Sequence, residues 1–148
     1  MESARNIVLW LLVINLGIAF GAGLYEARVV IPEWASLPPR VWPNTGLMFW
    51  VYVTTVPLTL LVIANGFAWL RSDRPSNWYL AAMIFAVVER IATFAYFIPA
   101  MVRLMNSDAA SQSEITEALS QWLLMNYGRH ALVFSAWFSS LKALVSLR

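Results

Sequence analysis

Four long apolar stretches alternate with short polar ones along the chain, and the alternation predicts four membrane-spanning helices. The first stretch is uncharged from Ile7 to Tyr25 and continues through GLYEARVVIP until Pro32 ends it, giving a helix over about 7–30. The second, from Gly46 to Leu70, is uncharged and holds Pro57. A spanning helix tolerates that proline by kinking and finding another donor for the carbonyl freed near Val53. The third, over about 78–104, carries Glu89 and Arg90 near its middle. The fourth, over about 114–147, is longer than a bilayer requires, and Ser111 or Ser113 can cap it ahead of Glu114 and Glu117. Between the first two stretches, PEWASLPPRVWP predicts a stiff interfacial loop rather than regular helix, and RSDRPSN from Arg71 to Asn77 reads as a turn.

Composition agrees with this pattern. The 148 residues are 60% hydrophobic and 12% charged, and mean hydropathy is +0.64, outside the balance of a soluble domain. The expected fold is a single all-α domain, an integral membrane four-helix bundle with antiparallel neighbours. The apolar run of the first stretch is longer than the core of a secretion signal, so it is read as a helix of the protein. No internal repeat is evident.

Charge sets the expected orientation. Arg5, Arg71, Arg74, Lys142 and Arg148 fall on the side of the termini. Arg28, Arg40 and Arg103 fall on the other, with Glu26, Glu33, Asp108, Glu114 and Glu117. The positive-inside rule then places both termini in the cytoplasm, in the inner (plasma) membrane of a bacterium. Scattered cations of this kind are anchors, so no nucleic-acid partner is expected. The absence of cysteine excludes disulfides and thiolate metal sites, and no other metal-ligand spacing or phosphate loop occurs, so neither metal nor cofactor is expected.

Charges inside a bilayer cost several kcal/mol unless paired or hydrated, which makes each a site candidate. Three groups qualify. Glu89 and Arg90 lie roughly 18 Å into the third helix, Glu26 roughly 28 Å along the first, and Arg129 and His130 roughly 22 Å from the near end of the fourth, all in the outer half. Helical spacing puts Trp122, Asn126, Arg129, Val133 and Trp137 on one stripe with His130 at its edge. Asn15, Ile18, Ala22 and Glu26 form another, where Gly21 and Gly23 permit close approach of a second helix. Arg90 shares a face with Phe94, Phe97 and Met101, and Glu89 shares one with Thr93 and Tyr96. These faces can converge on one pocket with aromatic lining, to which Tyr25 also contributes.

Blander readings stand beside these. Glu89, Arg90 and Arg129 suit a buried ion-pair network fixing helix register, and Glu26 suits a solvated helix end. His130, the only histidine, suits a haem ligand, an acid–base group or a satisfied core residue, and no second axial ligand with suitable spacing stands out. Trp34, Trp42, Trp78 and Trp122 read as an interfacial belt.

The segments GAGLYEARVVIPEW, FIPAMVRL and QWLLMNYGRHALVFSAWFSSLKAL resemble a family of small four-helix bacterial membrane proteins related to the anthrone oxygenases. In the last helix the family's Trp, Asn, Arg and Ala-Trp positions fall on Trp122, Asn126, Arg129, Ala136 and Trp137. The resemblance implies cofactor-independent oxygenation of a hydrophobic aromatic or polyketide-like molecule. Such chemistry needs a base, for which Glu26 and Glu89 are candidates, and an anion holder, for which Arg90, Arg129 and Asn126 are candidates. The alternative is a non-catalytic protein: a binder of lipid or another hydrophobic small molecule, an accessory subunit of a larger membrane complex, or a homo-oligomer. An enzyme would turn its charges inward to a cavity, whereas an accessory subunit would present a polar or small-residue stripe outward.

Overall fold

The computed structural model describes residues 2–42, 45–72, 76–107 and 111–146 and shows four long helices there: α1 over 2–34, α2 over 45–70, α3 over 77–105 and α4 over Gln112–Ser146. Among the described residues there is no strand. Arg74, Asp108, Leu147 and Arg148, which entered the expected topology and helix ends, lie outside the described residues, as does Pro43.

Contacts between side chains fix the direction of every neighbour. Asn15 reaches Val53 and Asn65 reaches Val8, so α1 and α2 run antiparallel. Tyr79 meets Asn65 and Arg90 meets Thr55 across α2 and α3. Trp122 donates to Phe97, and Trp78 packs on Phe138, across α3 and α4. Closure comes from α4 against α1, where Gly17 faces Trp137 and Gly23 faces His130. Arg5, Ser72 and Lys142 therefore mark one end of the bundle, the near end, and Ser36, Asn106 and Ser111 the far end.

Three helices share one irregularity. Pro32, Pro57 and Pro99 each stand at the second residue after a π-helical turn, over Glu26–Val30, Trp50–Thr55 and Thr93–Phe97. Proline lacks an amide hydrogen, and its ring collides with the carbonyl four residues earlier. Widening the preceding turn by one residue removes the collision and lets the helix continue. The amides of Ile31, Val56 and Ile98 accordingly bond the carbonyls five residues back, those of Glu26, Val51 and Thr93. This corrects two expectations: Pro32 does not end the first helix, and PEWASLPPRVWP begins as helix as far as Trp34. The carbonyl of Val53 finds its donor in Asn15 Nδ2, at 2.8 Å.

The core is split into two apolar clusters. Leu9, Leu12, Leu16, Leu58, Val62 and Tyr79 belong to the near one; Ile31, Trp34, Trp42, Phe97, Leu119 and Trp122 belong to the far one. The tryptophans again differ from expectation, because Trp34, Trp42 and Trp122 are buried and only Trp78 of the four is exposed. Trp34 and Trp42 stack at 5.0 Å, and the Trp42 indole donates to the carbonyls of Trp34 and Leu37, so the loop folds down as a cap rather than lying outward.

Outward faces are apolar, with Ile7, Trp10, Leu60, Phe67, Ile91 and Leu124 all exposed. Helices over Ala4–Trp34, Gly46–Leu70 and Asn77–Met105, with mean hydropathy 2.3, 2.1 and 1.7 in their most apolar windows, are long and apolar enough to cross a membrane. These are features of a membrane protein. Fourth-helix entry is set by a reciprocal capping box, in which the Ser111 amide and hydroxyl donate to Glu114 Oε2 and the Glu114 amide donates to Ser111 Oγ.

Asn15→Leu should leave the Val53 carbonyl without a partner and cost about 1–3 kcal/mol. Adding Pro57→Ala, which restores an amide to α2, should return part of that loss in detergent unfolding; strictly additive losses would disconnect the two groups. The Ser111 hydroxyl and amide hold the Glu114 carboxyl below its usual range. A depressed folded-state pKa means that the box's contribution is complete above the unfolded value and disappears as pH falls through the folded one. Protection factors of the amides at the start of α4, with intrinsic exchange divided out, should therefore fall on acidification, and that fall should be absent in Glu114→Gln.

Candidate functional site

Between the two apolar clusters lies a polar layer, to which the π-turns contribute Glu26, Thr54, Thr55 and Thr93. One extra residue in a turn rotates the following side chains by about 100°. Glu26 opens its turn and is 9% exposed, so it is an interior carboxylate rather than a solvated helix end. Thr54 and Thr93 are buried in the other two turns.

Glu89 and Arg90 form a closed unit. Arg90 Nε donates to Glu89 Oε2 at 2.6 Å and Nη2 to Oε1 at 2.8 Å, and the Thr93 hydroxyl donates to Oε1 at 2.8 Å. Arg90 Nη1 also reaches the Thr55 carbonyl at 3.4 Å. With Glu89 only 2% exposed, this bidentate geometry is what makes a buried carboxylate tolerable.

Arg129 stands apart from that pair, contrary to the expected three-residue network. It makes no ion pair among the described residues, and its Nε has no hydrogen-bond partner. Its guanidinium lies over the rings of Phe97, at 5.0 Å, and Trp50, at 5.8 Å. Glu89 is already paired with Arg90, and Glu26, which makes no ion pair among the described residues, is the carboxylate that lines the same pocket as Arg129.

Glu26 and Arg129 both line a pocket of about 140 Å³. Thr55, Thr93 and Trp50 share its inner end; Leu47, Ile98, Val102, Met101, Met105, Trp34 and Trp122 line the remainder. A second space of about 10 Å³ lies deeper, among Thr54, Glu89, Arg90, Arg129 and His130. That is the size of one water, with polar walls.

The remaining sequence candidates scatter. Phe97 and Trp122 line the pocket and meet edge to face at 5.9 Å. Tyr25 is 61% exposed and Phe94 50% exposed, and neither lines it. Tyr25 precedes Glu26 and so points about 100° away. Phe94 shares an outer groove between α2 and α3 with Arg90, as regular spacing places them, whereas the wide turn at Thr93–Phe97 carries Phe97 and Met101 away from Arg90 into the pocket. Trp137 packs on Phe20 and against Gly17, in the near cluster. In α4 the buried stripe is Trp122, Asn126, His130, Val133 and Ala136, so His130 sits at its centre and Arg129 at its edge.

Asn126 is 0% exposed with both Oδ1 and Nδ2 unpartnered, and both nitrogens of buried His130 are unpartnered too. A Cβ at Gly23 would lie 2.5 Å from His130 Nε2, so the backbone of α1 walls that nitrogen and a haem plane has no room beside it. Gly21, by contrast, has open space around it. Trp50 and Thr55, uncharged residues in an uncharged stretch, escaped the sequence reading. Their signal was Pro57, which marks the turn that carries them.

Arg90→Leu should strand Glu89 and destabilise the protein by about 3–5 kcal/mol. The double change of Glu89→Gln with Arg90→Leu should cost less than Arg90→Leu alone. Unfolding midpoints of the full cycle check this, and a double variant worse than the single one would break the pair.

No family model, curated protein or solved structure matches this chain.

Proposed function

We propose that the chain is a membrane-embedded, cofactor-independent oxygenase whose substrate is a hydrophobic molecule with an acidic phenol or activated methylene. One observation carries the reading: Arg129 is a half-buried guanidinium without an ion pair among the described residues, lying over the rings of Phe97 and Trp50 and lining an apolar pocket together with the carboxylate Glu26, which also has no ion pair there.

Ionised, the four interior charges sum to zero, because Glu89 offsets Arg90 and Glu26 offsets Arg129. A bound anion would upset that balance, whereas a bound neutral acid would not. Glu26 takes the proton, Arg129 pairs with the anion that remains, and the site keeps its net charge. The electron-rich carbon of the anion then reduces O2. One oxygen atom becomes a carbonyl on that carbon, the other leaves as water, and two hydrogens are lost from carbon and oxygen of the substrate. Glu26 is the base in this scheme. Glu89, closed by Arg90 and Thr93, positions the layer around Arg129.

The resemblance of the last helix to the anthrone oxygenase relatives supports the same reading through Trp122, Asn126 and Arg129. Inward-facing charge and an apolar exterior favour a pocket protein over an accessory subunit. The orientation proposed is near end in the cytoplasm, in a bacterial inner membrane, with Arg5, Arg71 and Lys142 on the inner side.

Glu26→Gln and Arg129→Met should each abolish phenol- or methylene-dependent oxygen uptake while circular dichroism keeps the wild-type helix content. His130→Gln should retain most activity. Oxygen uptake that survives in both of the first two variants would remove the mechanism. Binding that depends on Arg129 without any oxygen uptake would leave the non-catalytic binder as the function.

A further inference from the structure

The pocket has a shape as well as a polar end. Its walls on α3 run from Thr93 to Met105, about 18 Å at 1.5 Å per residue, and those on α2 from Gly46 to Thr55. Its volume is about 140 Å³. A cavity of about 150 Å³ holds a single benzene ring, and three fused rings need roughly twice the space of one. A space this long and this small is a narrow slot.

The slot has an open flank. Helices α2 and α3 pack on each other through Val56–Leu70 and Asn77–Ala92, their near halves. In the far half the pocket lies between them, and Leu47, Ile98 and Val102 on its rim are exposed on the apolar outer surface. Beyond the inner end the lining is apolar, with Leu47, Ile98 and Val102 aliphatic, Trp34 and Trp122 aromatic, and Met101 and Met105 as adaptable side chains. No charged group lines that end among the described residues, and the Trp122 indole is already given to the Phe97 carbonyl.

From this geometry we infer that the substrate is a single-ring phenol carrying a long unbranched apolar tail, rather than a fused polycyclic. The inference rests on the reading of Glu26 and Arg129 as base and anion holder. The ring sits at Trp50 and Phe97 with its hydroxyl toward Arg129. The tail follows the slot along α3 and leaves between α2 and α3, where lipid chains would lie.

The test uses the full chain in lipid nanodiscs and two probes, a resorcinol bearing a pentadecyl chain and a tricyclic anthrone, with affinities expressed per mole of lipid to remove partitioning. The tailed resorcinol should bind at least about tenfold more tightly, a difference of about 1.4 kcal/mol, since extra rings overpack the site. Val102→Trp, a change on the exposed rim, should weaken the tailed resorcinol more than unsubstituted resorcinol. An anthrone that binds as tightly as the tailed probe, or a rim variant that affects tailed and tailless rings alike, overturns the substrate class. Arg129→Met separates the two claims: it should weaken both ring systems. If it changes neither while the tailed probe still wins, the anion-holder reading fails and the slot remains.

Discussion

A carbonyl released inside an apolar helix has no water to turn to, and this constraint governs the structure. Three prolines each remove one amide from a helix long enough to cross a membrane, and each time the chain responds by widening the turn before it. The carbonyl freed by Pro57, that of Val53, recruits Asn15 from α1, and other carbonyls of the wide turns take donors too: Arg90 serves Thr55, and the Trp122 indole serves Phe97. Polar side chains are drawn to one depth by backbone need, and the site is assembled from what collects there.

Within that layer, the pairing of charge is unequal. Glu89 and Arg90 are adjacent in sequence and close on each other through two hydrogen bonds, so their separation is set by one helix and not by how helices pack. Glu26 and Arg129 belong to different helices, α1 and α4, and stay apart. The first arrangement is fixed within one helix, whereas the second depends on how α1 and α4 pack.

Four helices, their approximate ends and the polar residues within them were legible, since apolar length and intramembrane charge leave few alternatives. Phase was not. Regular spacing put Phe97 and Met101 on the face of Arg90, and that placement failed because the wide turn over Thr93–Phe97 inserts a residue that periodicity cannot anticipate; His130, on the regular fourth helix, became the centre of its stripe because packing against Gly23 of α1 selects the buried face. Pro32 was read as a stop because a proline so near a helix end often is one, yet four residues of context could not show that Glu26–Val30 would absorb it. The inward turn of Trp34 and Trp42 comes with the folded-down loop, which periodicity cannot anticipate. Trp50 and Thr55 carry no charge, so nothing but the proline after them advertised their position.

The fourth helix, Gln112–Ser146, is the one without a proline or a wide turn over its 35 residues. Mechanically this divides the bundle into a rigid mast and three jointed arms. Bending stiffness in a helix comes from its ladder of amide bonds, and the arms are each missing a rung at similar depth. Stiffness is therefore lowest where the wide turns lie, and Arg129 stands on the mast while Glu26 stands at the opening of a joint, so the spacing of the two is set by a rigid element on one side and a compliant one on the other.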